Sequence, residues 1–314
     1  MDRETKCGLA VETYGLTKHY AAPGKKAKRL AVSDLNLEVP QQTIFGFLGP
    51  NGAGKTTTIK MLLGFTAPTF GTAWMLGRST LDCLSREQVG YLPEQPYFPR
   101  FLTVLEVVRS HGVLAGLSWA DARRKAAECL ELVEMSDHEA SPLSKLSKGM
   151  MQRIALASAL VGDPKLLILD EPSSGLDPIG RKFLRDLLML LRTQGKTIFL
   201  SSHLLSEMET VCDCVAVLSQ GRLVASGRPS DIVQSDDSLE VRIEELEQDE
   251  DFACDILRLG GRIVANDRGL ASAVVVPEAG LYRLIDLLRP RQARLISVAP
   301  RRETLEDAFV RLVS

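Results

Sequence analysis

The chain has 314 residues, enough for about two domains at roughly 150 residues each. A net charge of −2 gives no sign of bulk attraction to nucleic acid or to an anionic lipid surface, and no apolar run approaches the roughly 18 residues of a membrane-spanning helix. Met1-Asp2-Arg3-Glu4-Thr5-Lys6 is charged and lacks an apolar signal core, so the sequence predicts a cytosolic protein with any membrane role supplied by a partner.

Residues Leu9 to Thr13 alternate as a strand does, and Leu16-Thr17-Lys18-His19-Tyr20 follows. Pro23-Gly24-Lys25-Lys26-Ala27-Lys28-Arg29 reads as a solvated basic hairpin tip. Ala31 to Val39 resumes the alternation, so antiparallel strands are expected here. Thr43-Ile44-Phe45-Gly46-Phe47-Leu48 is apolar and reads as a buried strand. Gly49-Pro50-Asn51-Gly52-Ala53-Gly54-Lys55-Thr56 then fits G-x-x-x-x-G-K-[ST], and Thr57 to Leu63 follows as an amphipathic helix. Strand, glycine loop and helix form a cradle in which backbone N–H groups and the helix N-terminus converge on phosphate. Lys55 reaches the β- and γ-phosphates, and Thr56 offers a hydroxyl to Mg²⁺.

Gly71 to Gly77 reads as an edge strand. Val89-Gly90-Tyr91-Leu92 is another, ending in Pro93-Glu94-Gln95-Pro96. Thr103 with Glu106 forms a capping box for a helix to about Leu117, and Ser118 opens a second helix to about Val133. Ser147 precedes a helix from Met151 to Leu160, so about 98–160 is a helical insert. Lys165 to Leu169 is a continuous apolar run, the pattern of a strand buried on both faces. It ends in Asp170-Glu171, at the end where an open α/β sheet binds ligands. Asp170 suits Mg²⁺ held through water, and Glu171 suits a general base for an attacking water. Further elements are a helix from Ile179 to Thr193, a buried strand from Thr197 to Leu200, a helix from Leu204 to Val211, and a hairpin of Cys214–Leu218 with Arg222–Ser226. Cys7, Cys83, Cys129, Cys212, Cys214 and Cys254 form no C-x-x-C pair, so neither a zinc site nor a disulfide framework is expected.

With these motifs in this order the chain resembles the ATP-binding-cassette (ABC) ATPases over Val11 to Arg228. Leu146-Ser147-Lys148-Gly149-Met150 sits where that family carries its L-S-G-G-Q signature, with Lys148 replacing the first glycine and Met150 the glutamine. Ser174-Gly175-Leu176-Asp177 resembles the D-loop, His203 the switch histidine that contacts the γ-phosphate, and Tyr20 the aromatic that stacks on adenine. The Q-loop position falls on Glu94 or on its neighbour Gln95. The resemblance implies a P-loop NTPase cassette with a mixed core sheet, an antiparallel β subdomain and a helical subdomain. It also implies ATP and Mg²⁺ as ligands, and a pair of cassettes in which Ser147 and Gly149 of one face the nucleotide of the other. The partner it implies is an integral membrane permease, and the location it implies is the inner face of the cell membrane.

Beyond about Gln234-Ser235-Asp236-Asp237-Ser238 the order is strand, helix, strand, strand, helix, strand, which predicts a small α+β ferredoxin-like domain followed by a helix from Thr304 to Leu312. The expected domains are a cassette over 9–234 and an accessory domain over 238–314. Lys148 and the tail Thr304-Leu305-Glu306-Asp307-Ala308-Phe309 are similar to the ABC-2-type exporter ATPases. The competing reading is a soluble cassette ATPase of translation or repair. It lacks its usual marks, since the chain has one cassette and no long coiled-coil insertion. A GTPase is disfavoured by the lack of N-K-x-D.

Overall fold

The structure, a computed structural model, describes residues 8–21, 28–233, 235–244, 250–267, 271–291 and 293–313. Cys7, the hairpin tip Pro23–Ala27, Gln234 at the expected boundary and Asp249 at the start of the expected helix lie outside these. Two units are distinguished: residues up to Ile232 together with Phe309–Ser314, and Val233–Ala308. The expected boundary placed the whole tail in the second unit. Instead the tail's last turns group with the first, where the Arg311 guanidinium donates to the Ile232 carbonyl at 3.1 Å.

In the first unit β1 (Leu9–Ala21) and β2 (Lys28–Pro40) form a long antiparallel hairpin. It buries Val11, Leu16, Val32, Leu35 and Val39 completely. After β3 (Ile44–Leu48) and α1 (Lys55–Leu62) comes β4 (Phe70–Met75), paired with β1 on one side and with the two-residue β5 (Arg78–Ser79) on the other. The strand expected at the edge here is therefore internal.

The second sheet joins β3 to β6 (Val89–Leu92), β7 (Leu166–Asp170), β8 (Thr197–Ser202), β9 (Cys214–Ser219) and β10 (Arg222–Gly227). Its order is β10-β9-β3-β8-β7-β6, with every neighbouring pair parallel except β9–β10. Strands β3, β7 and β8 are buried along their whole length, which is why they are apolar without alternation. Phe45 and Phe199 stack at 5.8 Å across β3 and β8. All five parallel strands end at the same edge, where Asp170 closes β7, Ser201 and Ser202 close β8, and the glycine loop leaves the apolar end of β3.

Helices α2 (Val104–Leu114), α3 (Trp119–Leu132) and α4 (Lys148–Leu160) fill the insert. The capping box of α2 is present, with Thr103 and Glu106 satisfying each other's backbone amides. Ser147 caps α4, whose helix begins at Lys148, three residues before the expected start. Helix α5 (Pro178–Thr193) follows β7, α6 (Leu205–Val211) follows β8, and the short α7 (Pro229–Ile232) closes the unit. Among the described residues no helix is long and apolar enough to cross a membrane.

The second unit runs β11 (Ser235–Glu244), α8 (Glu250–Arg258), β12 (Arg262–Asp267), β13 (Ala271–Pro277), α9 (Leu281–Leu288) and β14 (Arg294–Arg302). Helix α10 (Leu305–Val313) ends the chain. The sheet is antiparallel in the order β12-β13-β11-β14. Phe252 and Ile256 of α8 and Leu284 and Leu288 of α9 pack on Val241, Ile243, Val274 and Val276. That one-sided core follows from residues spaced by three or four on the helices and by two on the strands.

Candidate functional site

The loop between β3 and α1 is shaped by close backbone approaches. A Cβ at Gly49 would lie 2.5 Å from the Leu218 carbonyl oxygen, and one at Gly54, where φ is +110°, would lie 2.6 Å from that of Ala31. Only glycine fits both positions. Gly54 also stands at the N-terminus of α1 without a side-chain cap, which leaves the first-turn amides of the helix free for an anion.

These amides border a cleft of about 750 Å³. Pro50, Asn51, Gly52, Gly54, Lys55, Thr56 and Thr57 line it from the loop and helix, with Tyr20 from β1 and Glu94, Glu171, Ser174 and His203 from other segments. Gly49 and Ala53 do not line it. Ala53 is buried, and its carbonyl accepts from the Gly221 amide at 2.9 Å, so the two shape the loop from behind.

The charged groups lie at the carboxyl ends of β7 and β8. The Asp170 carboxylate is buried, accepts from Ser201 Oγ at 2.6 Å and stands 3.5 Å from Thr56 Oγ1. Burial, and after it the Asp170 charge, push the neighbouring Tyr91 hydroxyl up to about 12. Glu171 follows in the left-handed region at φ +51°, a conformation costing a non-glycine residue about 1 kcal/mol. Its amide donates to Ser201 Oγ at 3.1 Å and to the Ser201 carbonyl at 3.2 Å, which holds the turn. The turn carries the carboxylate between two nitrogen donors: Lys55 Nζ is 3.1 Å from Oε1, and His203 Nδ1 donates to Oε2 at 2.7 Å. Lys55 also donates to the Gly49 carbonyl at 2.6 Å. Lys55 and Glu171 are buried, whereas the His203 side chain is 42% exposed, leaving its Nε2 edge open to a ligand.

A second cleft, of about 420 Å³, holds the signature segment. Ser147, Lys148, Gly149 and Met150 line it together with Gly175, Leu176 and Asp177. The Asp177 carboxylate is spent on capping α5, accepting from the Gly180 amide at 2.8 Å. Lys148 lies across Gly175, its ammonium filling the place a Cβ would take. Gln152 of α4 donates to the Pro172 carbonyl at 3.1 Å, so the signature helix grips the segment after Glu171. Ser147, Gly149 and Asp177 are thus brought together with one another and not with the phosphate loop.

Of the two residues left open at the end of β6, Glu94 lines the phosphate-loop cleft and Gln95 does not. Two further residues were missed. Ser201 is fully buried and joins Asp170 to Glu171. Its signal was a serine pair closing an otherwise apolar strand. Arg29, read as part of a solvated tip, belongs to β2 and lines the cleft.

A sequence model of the family described as ABC transporter matches residues 32–174. An uncharacterised ABC transporter ATP-binding protein of Synechocystis sp. is 36% identical over 311 residues, covering 96% of this chain and 84% of that protein. The Nod factor export ATP-binding protein I of Cupriavidus metallidurans is 39% identical over 223 residues, covering 69% of this chain and 74% of that protein. Among solved structures, the dimeric post-hydrolysis state of the ATP-binding cassette MJ0796 bound to ADP and Pi superposes with a TM-score of 0.64 at 25% identity, covering 69% of this chain and 98% of that one.

Proposed function

We propose, because this chain belongs to the ABC transporter family of ATP-binding subunits, that its phosphate-loop cleft takes Mg-ATP and that hydrolysis there drives export through a separate membrane permease. The chain is an ATP-binding and ATP-hydrolysing transporter subunit, and such subunits pair as dimers and work with a membrane component. The observation that carries the finer reading is Glu171 held between Lys55 and His203 where the parallel strands end.

In this reading the triphosphate draws the Lys55 ammonium onto the β- and γ-phosphates. The Glu171 carboxylate is then free to accept a proton from the attacking water. His203 keeps that carboxylate oriented through Nδ1 and turns its open edge to the γ-phosphate. Ser201 holds the two acids in register from below. Thr56 Oγ1 and the Asp170 carboxylate are hard oxygen donors close enough to share one Mg²⁺, which fits a cation that uses one or two protein ligands besides phosphates and waters. When bound, that ion neutralises charge on the phosphates. Tyr20 stacks on the base.

Ser147 and Gly149 lie in a separate cleft, which supports their reaching the nucleotide of a second cassette, identical or homologous. ATP then binds the two copies together and its hydrolysis releases them, a population shift set by differential affinity. Tyr97 and Phe101, 91% and 82% exposed just after Glu94, supply the apolar surface we assign to the permease, so the protein works on the cytoplasmic face of the membrane. The name of the Cupriavidus relative and the Lys148-bearing signature support an ABC-2-type exporter. The test is co-purification of the chain from membranes with a polytopic membrane protein. The complex is expected to hydrolyse ATP faster than the chain alone. Full turnover by a chain that never associates with membranes overturns the reading.

A further inference from the structure

The far end of the β1–β2 hairpin is shaped by a bulge. Lys18 is paired with Val32, yet His19 is paired with Leu30, so Ala31 has no partner across the ladder. One extra residue shifts the phase of side-chain alternation. Val32 is fully buried, and regular alternation would bury Leu30 as well, but Leu30 is 41% exposed. Arg29, Leu30 and Ala31 all line the phosphate-loop cleft, whereas a regular strand divides three successive residues between two faces.

Beyond the bulge Arg29 stands directly opposite Tyr20. Opposed residues of an antiparallel pair share a face, with their Cβ atoms about 5 Å apart. Both line the cleft, and among the described residues no carboxylate pairs with the Arg29 guanidinium. Lys18 is already committed. Its ammonium donates to the Ala67 carbonyl at 2.6 Å and lies 5.3 Å from the centre of the Tyr20 ring. The free planar cation beside the aromatic is therefore Arg29.

We propose that Arg29 and Tyr20 form a two-residue platform for the base of bound nucleotide, the guanidinium stacking on the purine next to the phenol ring. This rests on the reading of the cleft as an ATP site. A guanidinium is planar and weakly hydrated, so it stacks on π-faces as an ammonium does not. The bulge supplies the geometry. It turns Arg29 into the cleft at the Tyr20 end, while the Ala31 carbonyl presses against Gly54 at the phosphate end.

The test measures affinities of the full chain by calorimetry for ATP and for inorganic tripolyphosphate, which has phosphates and no base. Arg29→Ala is expected to weaken ATP about tenfold, within the range for one lost stacking contact, and to leave tripolyphosphate unchanged. Arg29→Lys, which keeps the charge, is expected to stay close to Arg29→Ala. Lys55→Ala is expected to weaken both ligands. Unchanged ATP affinity in Arg29→Ala overturns the platform. So does an equal loss for tripolyphosphate, which makes Arg29 a phosphate ligand, or full rescue by lysine. Failure of the unsubstituted chain to bind ATP overturns instead the reading of the cleft on which the platform stands. Arg29 is exposed, so its variants are expected to melt with the parent chain.

Discussion

The two clefts of the first unit differ in what they bury. The phosphate-loop cleft holds Lys55 and Glu171 as a buried ion pair at 3.1 Å, with Asp170 beneath and His203 at the rim. The signature cleft holds no buried acid beside a buried cation: Lys148 and Asp177 are exposed, Arg153 is half-buried and paired with the exposed Glu134 at 2.6 Å, and the ligand-binding capacity is a helix N-terminus capped by Ser147 and a glycine one residue into the helix. Buried charge must be compensated within the chain that carries it, so chemistry needs the first kind of cleft. A helix N-terminus supplies N–H donors to whatever anion is brought to it, so it can serve a nucleotide held by another molecule. On the proposed reading, the first cleft reacts and the second completes the site of another copy.

The sharpest way to break this comparison is to disarm the reacting cleft alone. Glu171→Gln keeps the size of the side chain but loses the proton acceptor, and is expected to lower turnover about a thousandfold. ATP binding is expected to persist, and Mg-ATP to shift the protein to dimers on size exclusion. Wild-type turnover in this variant would remove Glu171 from the reaction.

Next comes complementation between clefts. Lys55→Ala and Ser147→Arg are each expected to be inactive, one for want of a phosphate ligand and the other through bulk in the completing cleft. Mixed together, they are expected to regain about a quarter of wild-type ATPase activity, since half of randomly paired symmetric dimers are mixed and each has one intact composite site. A mixture as dead as its components would show that both clefts act on the same nucleotide.

A smaller effect is expected at Lys148. Its side chain lies over Gly175 and away from the helix N-terminus, so Lys148→Gly is expected to lower turnover only about twofold to threefold, mostly through helix propensity. A loss as deep as that of Ser147→Arg would make the lysine a direct phosphate ligand.

The smallest effect is expected from removing everything after Ile232, that is the second unit and the last turns that group with the first. A chain ending at Ile232 keeps every residue lining the two clefts, and its ATP affinity is expected to stay within about twofold of the full chain. It loses the Arg311 bond to the Ile232 carbonyl, so a few degrees of melting temperature are expected to go with it. A folded truncation that cannot bind ATP would make the tail part of the site.

Legibility followed the regularity of the local pattern. Strands β3, β7 and β8 were plain because burial on both faces demands unbroken apolar runs. Strand β1 was read only to Thr13, although it continues to Ala21, because irregularities after Thr13, Leu16 and Lys18 scramble its alternation. Helix α4 was read three residues short because Gly149 is a poor helix former, while the Ser147 cap and the buried face beyond carry the first turn.

By itself the sequence determined the phosphate loop, the paired acids and the order of motifs. Each depends on backbone freedom, charge or hydrogen-bonding capacity within a few consecutive residues, and neighbours in sequence settle those properties. Tertiary structure alone decided that Glu94 faces the cleft and Gln95 does not, that Ser201 bridges Asp170 and Glu171, that Asp177 is consumed as a helix cap, and that Arg29 sits beside Tyr20. Each of these depends on where a side chain points, and a single bulge or left-handed residue reverses that direction without leaving a mark in composition or spacing.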